Sequence, residues 1–600
     1  MEILIISFLA GAACFIIPRK SDILLGAIAL LSSLACLCYS IKLFVVKQMN
    51  YLDLFKIDAL NSFLVPFICL FAFLIIFYSL GYVSKRIKKA NEYYAYLLWS
   101  LCVSCVVVLA NNIILLLIAW GISALLLYLL IDIQSSPESS DAGKKALMFL
   151  GGSDVIMILG VAILWKLTGS FSMDKMHITV LTKSGIAAFL CLMAAAFSKA
   201  GVMPLHSWIP SSSEAAPIPV MAVLPASLDK ILGIYFLARC SLYIFTIQPN
   251  SFLSLFLMII GAVTIICAVM MALIQHNFKK LLAYHAVSQV GYMVLGIGTA
   301  TAIGIAGGIF HMVNNAIYKS CLFLSSGNVE YKTGKSDIDE LGGLASAMPI
   351  TFISFLIAAL SISGVPPFNG FFSKWMIYQG VIQNFANPAG RFTIFLCLLA
   401  AMFGSALTLA SFMKLIHGIF LGQASPELQP GKIKEVGLFM YMPVLVLSLL
   451  CILFGVFAYI LPLKYFISPI VGPISAIGNY APVTAAVFII FGLATGLVIY
   501  FISGTGKNTR KDSCFIGGEN IPAENKVSGA EFYNTIKEFY ILSAIYKKAE
   551  AGMFDIYEQG KKIIFRTAKF FQYLHNGVLP TYLVWTLLGM IILFLILAAG

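Results

Sequence analysis

Long apolar runs, separated by short polar breaks, fill this chain from one end to the other. Most are close to the ~20 residues that an α-helix needs to cross a bilayer. We read sixteen spanning segments: 2–17, 22–46, 59–83, 94–110, 112–132, 145–167, 185–210, 217–246, 252–275, 280–299, 301–328, 346–382, 391–421, 436–461, 482–503 and 577–599. Asn111-Asn112 divides the fourth from the fifth. These runs are too long and continuous for strands, so the fold class is an all-α polytopic membrane protein.

One stretch breaks the pattern. Residues 503–530 are polar, and residues 531–572 alternate aromatic and branched residues with Lys and Glu. Phe532, Ile536, Phe539, Tyr540 and Ile545 recur at helical spacing. This predicts an amphipathic helix lying along the membrane surface, before a final anchor helix. A soluble arm that docks a partner is the alternative.

Two segments carry similar interruptions. The seventh contains Gly201-Val202-Met203-Pro204 and the twelfth Gly364-Val365-Pro366-Pro367. Proline removes a helix donor and glycine weakens the helix, so Gly201, Pro204, Gly364, Pro366 and Pro367 predict breaks deep in apolar runs. Paired broken helices in corresponding halves mark transport sites in repeat-built transporters. Segments four to eight and nine to thirteen would be two five-helix repeats. An odd repeat length sets them in opposite orientations. The organisation read from this is 1–93 (three helices), 94–250 (first repeat), 251–422 (second repeat), 423–505 (two helices), 506–576 (polar loop and lateral helix) and 577–600 (anchor).

Composition agrees: 60% of residues are hydrophobic and 11% charged, where a soluble chain carries about 25% charged. The net charge of +13 reflects loop asymmetry, and we expect no nucleic-acid partner. Basic residues collect after odd-numbered segments, as at Arg19 and Lys20, Lys85 to Lys89, Lys279 and Lys280, and Lys432 and Lys434. The positive-inside rule then puts these loops in the cytoplasm and both termini outside. The expected location is the plasma membrane of a prokaryote. The thirteen cysteines are scattered through apolar runs, and Cys102 and Cys105 form a lone CxxC inside one. No zinc or iron–sulfur spacing appears, and we expect no metal and no cofactor in this chain.

Charges inside the spans point to chemistry, because an ionisable group at the bilayer centre costs about 2.5–3.5 kcal/mol or more. Lys199, Lys319, Lys374, the pair Asp229-Lys230, Asp154 and Lys414 all lie in apolar surroundings. His311 and Lys319 are two helical turns apart and share a face. A buried lysine can gain and lose a proton near neutral pH, and neutral histidines pass protons on. A carboxylate nearby tunes the release. Lys166 and Arg239 lie near segment ends and read as snorkelling cations. His276 and His285 flank the Lys279-Lys280 loop and read as satisfied polar residues.

Several motifs carry a family resemblance: KAGVMPLHSWIP with EAAPIPV, ALIQHNFKKLLAYHAVSQVGYM, GGIFHMVNNAIYKSCLFLSSG, and DIDELGGLASAMPITF followed by SGVPPFNGFFSK. They span about Ile57 to Gly422. The chain resembles the antiporter-like, proton-translocating subunits of respiratory complex I, of energy-converting membrane-bound hydrogenases and of Mrp-type cation/proton antiporters. The resemblance implies a proton path through Lys199, His311, Lys319 and Lys374, with His206 matching the PLHSW histidine. Lys230 stands one position early for the family's eighth-helix lysine, and Pro225 stands where a histidine can occur.

The family's fifth-helix Trp-Glu pair is Trp120-Gly121 here, so the usual carboxylate is missing. Asp154 is the first candidate to replace it beside Lys199, and Asp132, beyond Gly121 on the same helix, is the second. The C-terminal extension, with Cys514 to Glu519, reads most like the large hydrogenase-type or distal complex I-type branch. The implied function is a proton-translocating membrane subunit of a redox-driven pump, not a redox catalyst by itself. Its partners would be other membrane subunits, contacted partly through the lateral helix 531–572, and lipid. The redox chemistry would belong to those subunits. An Mrp-type Na+/H+ antiporter subunit is the second reading. A structural membrane anchor with impaired pumping, suggested by Gly121, is the third.

Overall fold

The computed structural model describes residues 1–18, 21–46, 50–51, 53–179, 182–386, 390–423, 425, 428, 433–474, 481–502 and 533–599. The basic residues Arg19, Lys20 and Lys432, the polar stretch 503–530 and the segment from Cys514 to Glu519 lie outside the described residues.

The chain divides into two units, Met1–Glu538 and Phe539–Gly600. The first is a helical bundle. Its helices are α1 (Glu2–Ile16), α2 (Asp22–Val46), α3 (Ala59–Arg86), α4 (Ala90–Leu109), α5 (Ile113–Ile131), α6 (Pro137–Thr168), α7 (Lys183–Ala200), α8 (Trp208–Ala215), α9 (Ile218–Val223), α10 (Asp229–Arg239), α11 (Phe252–Leu273), α12 (Phe278–Gly298), α13 (Ala302–Thr333), α14 (Pro349–Ser363), α15 (Asn369–Gln383), α16 (Arg391–Ile416), α17 (Leu438–Val456), α18 (Ser468–Val471), α19 (Pro482–Ile502) and α20 (Asn534–Glu538). Among the described residues, extended structure is limited to two-residue pairs such as Ile178–Thr179 with Phe245–Thr246. Among the described residues, thirteen helices are long and apolar enough to cross a membrane. The chain is an all-α, multi-pass membrane protein.

Three predicted spans fall outside that set although all three are helical. The first, α1, is short. The eleventh, α13, is long but carries His311, Asn314, Asn315 and Lys319. The twelfth is divided into α14 and α15.

The helix ends follow from local chemistry, and much of it occurs twice. Asn112 caps α5 by accepting from the backbone N–H groups of Ile114 and Leu115, and Asn277 caps α12 in the same way. Ser136 caps α6 and Thr301 caps α13. Both of those helices end at a left-handed glycine, Gly169 (φ 66°) and Gly334 (φ 72°). A short 3-10 turn follows each, Met173–Lys175 and Ile338–Glu340. It is pinned by Met173 N–H to Asn111 O (2.7 Å) and by Ile338 N–H to His276 O (3.0 Å). Every one of these pairs is separated by the same number of positions.

The breaks match too. Gly201 ends α7 at φ 82°, ψ 42°, and Gly364 ends α14 at φ 81°, ψ 40°. This left-handed conformation is cheap only for glycine. Each is followed by a cis X-Pro bond, Met203-Pro204 and Pro366-Pro367.

Close backbone packing holds the second stretch together. A Cβ added to Gly261 on α11 would stand 2.7 Å from the Gly291 carbonyl oxygen on α12. Small residues at such crossings let membrane helices approach and gain dispersion contacts, since lipid offers no hydrophobic drive between them. Helix α13 is buried from Ile303 to Val329, which allows it to carry polar side chains that lipid would not tolerate.

The second unit contains α21 (Tyr540–Glu550), α22 (Ile556–Leu574) and α23 (Leu579–Ala599). The amphipathic helix expected over 531–572 is therefore not continuous. It is interrupted around Gly552, which adopts φ 71°. Helix α22 keeps the expected pattern, with Lys561, Lys562, Arg566 and Lys569 set among Ile563, Ile564, Phe565 and Phe570.

Candidate functional site

Lys199 occupies the last turn of α7 and is fully buried. Its Nζ donates to the Trp120 carbonyl oxygen (3.2 Å) and to the Ser123 hydroxyl, and lies 4.5 Å from the Trp120 ring centroid. Asp154 and Asp229 are its electrostatic neighbours, beyond ion-pair distance. Asp154 also faces the Trp120 indole. The first choice of partner thus reaches the lysine's field. Asp132 does not. Its carboxylate accepts the hydroxyls of Ser139 (3.1 Å) and Ser140 (2.6 Å) at the start of α6, so it fastens a helix end. His206 lies half-buried in the turn after the break and is not among the groups that meet Lys199.

Gly121 is on the outward side of α5, near the exposed Ile118, Ile122 and Leu125, and a Cβ there would meet no atom within 4 Å. The missing family carboxylate therefore leaves no gap against Lys199, which is held by the opposite face of α5.

Asp229 and Lys230 are both buried at the start of α10, directly after a π-helical turn over Leu224–Leu228. Lys230 Nζ donates to Ala200 O (3.2 Å), a carbonyl beside the α7 break. Breaking the helix frees such carbonyls, and a buried ammonium is one way to satisfy them. Lys230 is in turn an electrostatic neighbour of Lys319.

Lys319 Nζ donates to Leu282 O (2.8 Å) and lies 5.7 Å from the Phe412 ring. The shared helix face of His311 and Lys319 exists as expected, with both fully buried. His311 is held by three groups: Ser373 Oγ at 2.8 Å from Nδ1, and Gln289 Oε1 at 3.1 Å and Tyr318 OH at 3.2 Å from Nε2. Lys374 Nζ donates to Ile362 O (2.8 Å) and Ser405 Oγ (2.9 Å) and lies 4.6 Å from the Tyr292 ring. Ile362 O lies beside the second break, so Lys374 also satisfies a carbonyl next to a broken helix.

The residue that sequence reading undervalued is His285. It is fully buried, its Nε2 lies 2.7 Å from Ser411 Oγ, and its ring packs on Phe412 at 4.9 Å. Lys319 and Lys374 are both its electrostatic neighbours. Only its nearness to the basic loop was visible in sequence. The signal that could have found it is the constant spacing of the paired motifs, which matches His285 with Trp120, the residue that carries Lys199. Arg239 also departs from expectation. It does not snorkel but is buried and ion-paired with Asp58, while Tyr235 OH accepts from its Nε at 3.2 Å. Lys279 is mostly buried as well and pairs with Glu330 at 2.6 Å; Lys280 pairs with Glu214 at 3.4 Å.

The arrangement is a file of ionisable groups across the bundle: Asp154, Lys199, Asp229, Lys230, Lys319, His285, His311 and Lys374. Each lysine of this file is solvated by a carbonyl, not neutralised by a carboxylate at contact distance. Groups so held can exchange protons in a way that tight ion pairs cannot.

Comparison with known proteins agrees with this architecture. Residues 110–408, about half of the chain, match the family described as NADH:quinone oxidoreductase/Mrp antiporter, TM. The Na(+)/H(+) antiporter subunit A1 of Staphylococcus aureus (strains MRSA252 and Newman) is 33% identical over 410 residues, which is 65% of this chain and 50% of that protein. The chain thus spans about half the length of the curated relatives it matches. Two solved structures share the fold. One is the membrane-bound sulfane sulfur reductase (MBS), an archaeal respiratory membrane complex, with a TM-score of 0.83 at 24% identity, covering 100% of this chain and 99% of that one. The other is the Mrp complex from Dietzia sp., with a TM-score of 0.68 at 20% identity, covering 78% of this chain and 95% of that one. With its motifs, its broken helices and these matches taken together, the chain belongs to the antiporter-like membrane subunit superfamily shared by complex I-like complexes and Mrp antiporters.

Proposed function

We propose that this protein is a proton-translocating membrane subunit of a multisubunit, redox-driven ion pump. The observation that carries this is a set of buried ionisable groups, Lys199, Lys230, Lys319, His285 and Lys374, each held by a backbone carbonyl or a hydroxyl. Burying this many cations costs too much to serve packing alone.

In this reading Lys199 and Lys374 are the two terminal stations, each beside a helix break. Asp154 and Asp229 tune the first half, while His311 and His285 relay protons in the second. The chain crosses the membrane sixteen times as two inverted five-helix repeats with flanking helices. The basic loops face the cytoplasm and both termini face outside. The amphipathic α22 lies on a neighbouring subunit, and the electron-transfer groups reside in partner chains. The full-length fold likeness to a chain of the sulfane sulfur reductase complex supports a respiratory assembly.

A specific observation favours a second reading. The 33% identity to an Na(+)/H(+) antiporter subunit supports a cation/proton exchanger driven by a gradient. Partner chains that co-purify with the protein separate the two.

The direct test is Lys319→Ala in membrane vesicles carrying the assembled complex. Proton movement, followed by a pH-sensitive dye, is expected to fall about a hundred-fold or more, with the complex still assembled on a native gel. Undiminished proton movement overturns the path.

A further inference from the structure

Lys414 is a buried cation that the path above does not use. It lies near the end of α16, fully buried, and its Nζ donates to Leu273 O and Gln275 O, both at 2.9 Å. Those carbonyls belong to the end of α11 and the loop that follows. The loop continues into His276, whose Nδ1 lies 2.8 Å from Asp339 Oδ2. The imidazole of His276 and the carboxylates of Asp337 and Asp339 come within 4.8 Å of one another, and all three residues are only partly buried. Asp337, Asp339 and Lys537 are the charged groups whose field reaches Lys414.

On its inner side, Lys414 shares a helix face with Ser411, a turn earlier, and the Ser411 hydroxyl meets His285 Nε2. Phe412, between them in sequence, packs on both His285 and Lys319. Helix α16 therefore carries polar groups from the His285–Lys319 centre to a surface cluster of one imidazole and two carboxylates.

The corresponding place in the first half argues for a purpose. Ser405 Oγ donates to Ser363 O beside the second break as Lys230 does to Ala200 O beside the first. The same distance further along each helix stand Lys414 and Arg239. Arg239 is locked to Asp58, and a guanidinium does not give up its proton in proteins. Lys414 is held by carbonyl dipoles and can give up its proton without stranding a bonded carboxylate. Likewise Asn111, which cannot titrate, donates to Asp174 (3.1 Å) where His276 meets Asp339.

We propose that Lys414 is a further proton-carrying station, which joins the buried His285–Lys319 centre to a mouth formed by His276, Asp337 and Asp339. The proposal rests on the proton-path reading above. One proton enters at the His276–Asp339 pair, moves to the neutral amine of Lys414, passes to the neutral His285 imidazole and from there to the neutral amine of Lys319. Lys414 and His285 are then as they began, with the proton on Lys319, and the reverse sequence releases it to the same surface.

The test uses vesicles carrying the assembled complex with four single variants. Lys414→Arg keeps the charge and removes the exchangeable proton. His276→Asn and Asp339→Asn alter the partly exposed mouth, and Lys319→Ala is the control for the path itself. Proton movement is expected to fall about ten-fold or more in Lys414→Arg and several-fold in His276→Asn and Asp339→Asn, with assembly unchanged. If Lys319→Ala abolishes proton movement while Lys414→Arg and His276→Asn leave it intact, this branch is refuted and the main path stands. If Lys319→Ala is also without effect, the path itself falls. Should Lys414→Arg not assemble, the two mouth variants decide: full proton movement in both refutes the branch.

Discussion

The stretches Ala90–Ile244 and Phe252–Leu421 use the same scaffold for different chemistry. Caps, left-handed glycines, 3-10 turns and breaks recur in register. The side chains aimed into the bundle do not. Trp120 in the first stretch corresponds to His285 in the second, Asp154 to Lys319, Lys230 to Ser405, and Arg239 to Lys414. The first half thus holds two carboxylates and two lysines in the interior, closed at its far end by an arginine–aspartate pair. The second holds lysines and histidines with hydroxyl partners and a titratable far end. The backbone features recur because glycine accepts φ near +80° cheaply and a short polar side chain caps a helix N-terminus well. The inward residues are free to specialise as long as each buried charge keeps a dipole partner.

The largest effect that would sharpen this contrast is expected at the closed end. Arg239→Met leaves Asp58 without its partner in a mostly buried site and should cost about 3–5 kcal/mol. Thermal unfolding in detergent should show it as a clear loss of stability, and an unchanged melting profile would mean the pair closes nothing. Next in size is Asp154→Asn. It removes a carboxylate from the field of Lys199 and should slow proton movement about ten-fold with assembly intact. No change would separate Asp154 from the path.

The two breaks should respond differently to one added methyl. Gly201→Ala and Gly364→Ala each force a left-handed alanine, at about 1–2 kcal/mol. At Gly201 the methyl meets the end of Ile209, whereas at Gly364 it stands 3.1 Å from Lys374 Cδ. Stability should fall in both, but only Gly364→Ala should also slow proton movement beyond what lost protein explains. Equal effects on transport would erase the distinction. The smallest effect is expected for Gly121→Glu. Its side chain would leave the outward face of α5, so proton movement should change less than about two-fold. A strong effect would mean that this face is covered by a partner whose chemistry reaches Lys199.

Much of the bundle is legible in the sequence alone. Apolar run length located the helices, because a bilayer demands a fixed length and satisfied backbone groups, although it began the sixth at 145 where the helix starts at Pro137 and ran the seventh to 210 where the helix ends at Ala200. Glycine and proline located both breaks, and charge in apolar surroundings named Lys199, Lys230, Lys319 and Lys374. Less was legible where partners are distant in sequence. Nothing local says that Arg239 meets Asp58, that Asp132 is taken up by Ser139 and Ser140, or that His285 faces two lysines across Phe412. The single amphipathic helix expected over 531–572 failed at Gly552 because helical periodicity persists across a tight turn.

By itself, then, the sequence determined the medium, the helical class, the family and which residues carry cost in lipid. Each follows from composition, period or a local backbone rule. The tertiary structure alone decided which of those costly residues share a field and which are tied off as helix caps or closed ion pairs. The physical reason is that desolvation is set by residue type and burial, whereas its compensation depends on which carbonyl, hydroxyl or carboxylate the fold brings within about 3 Å.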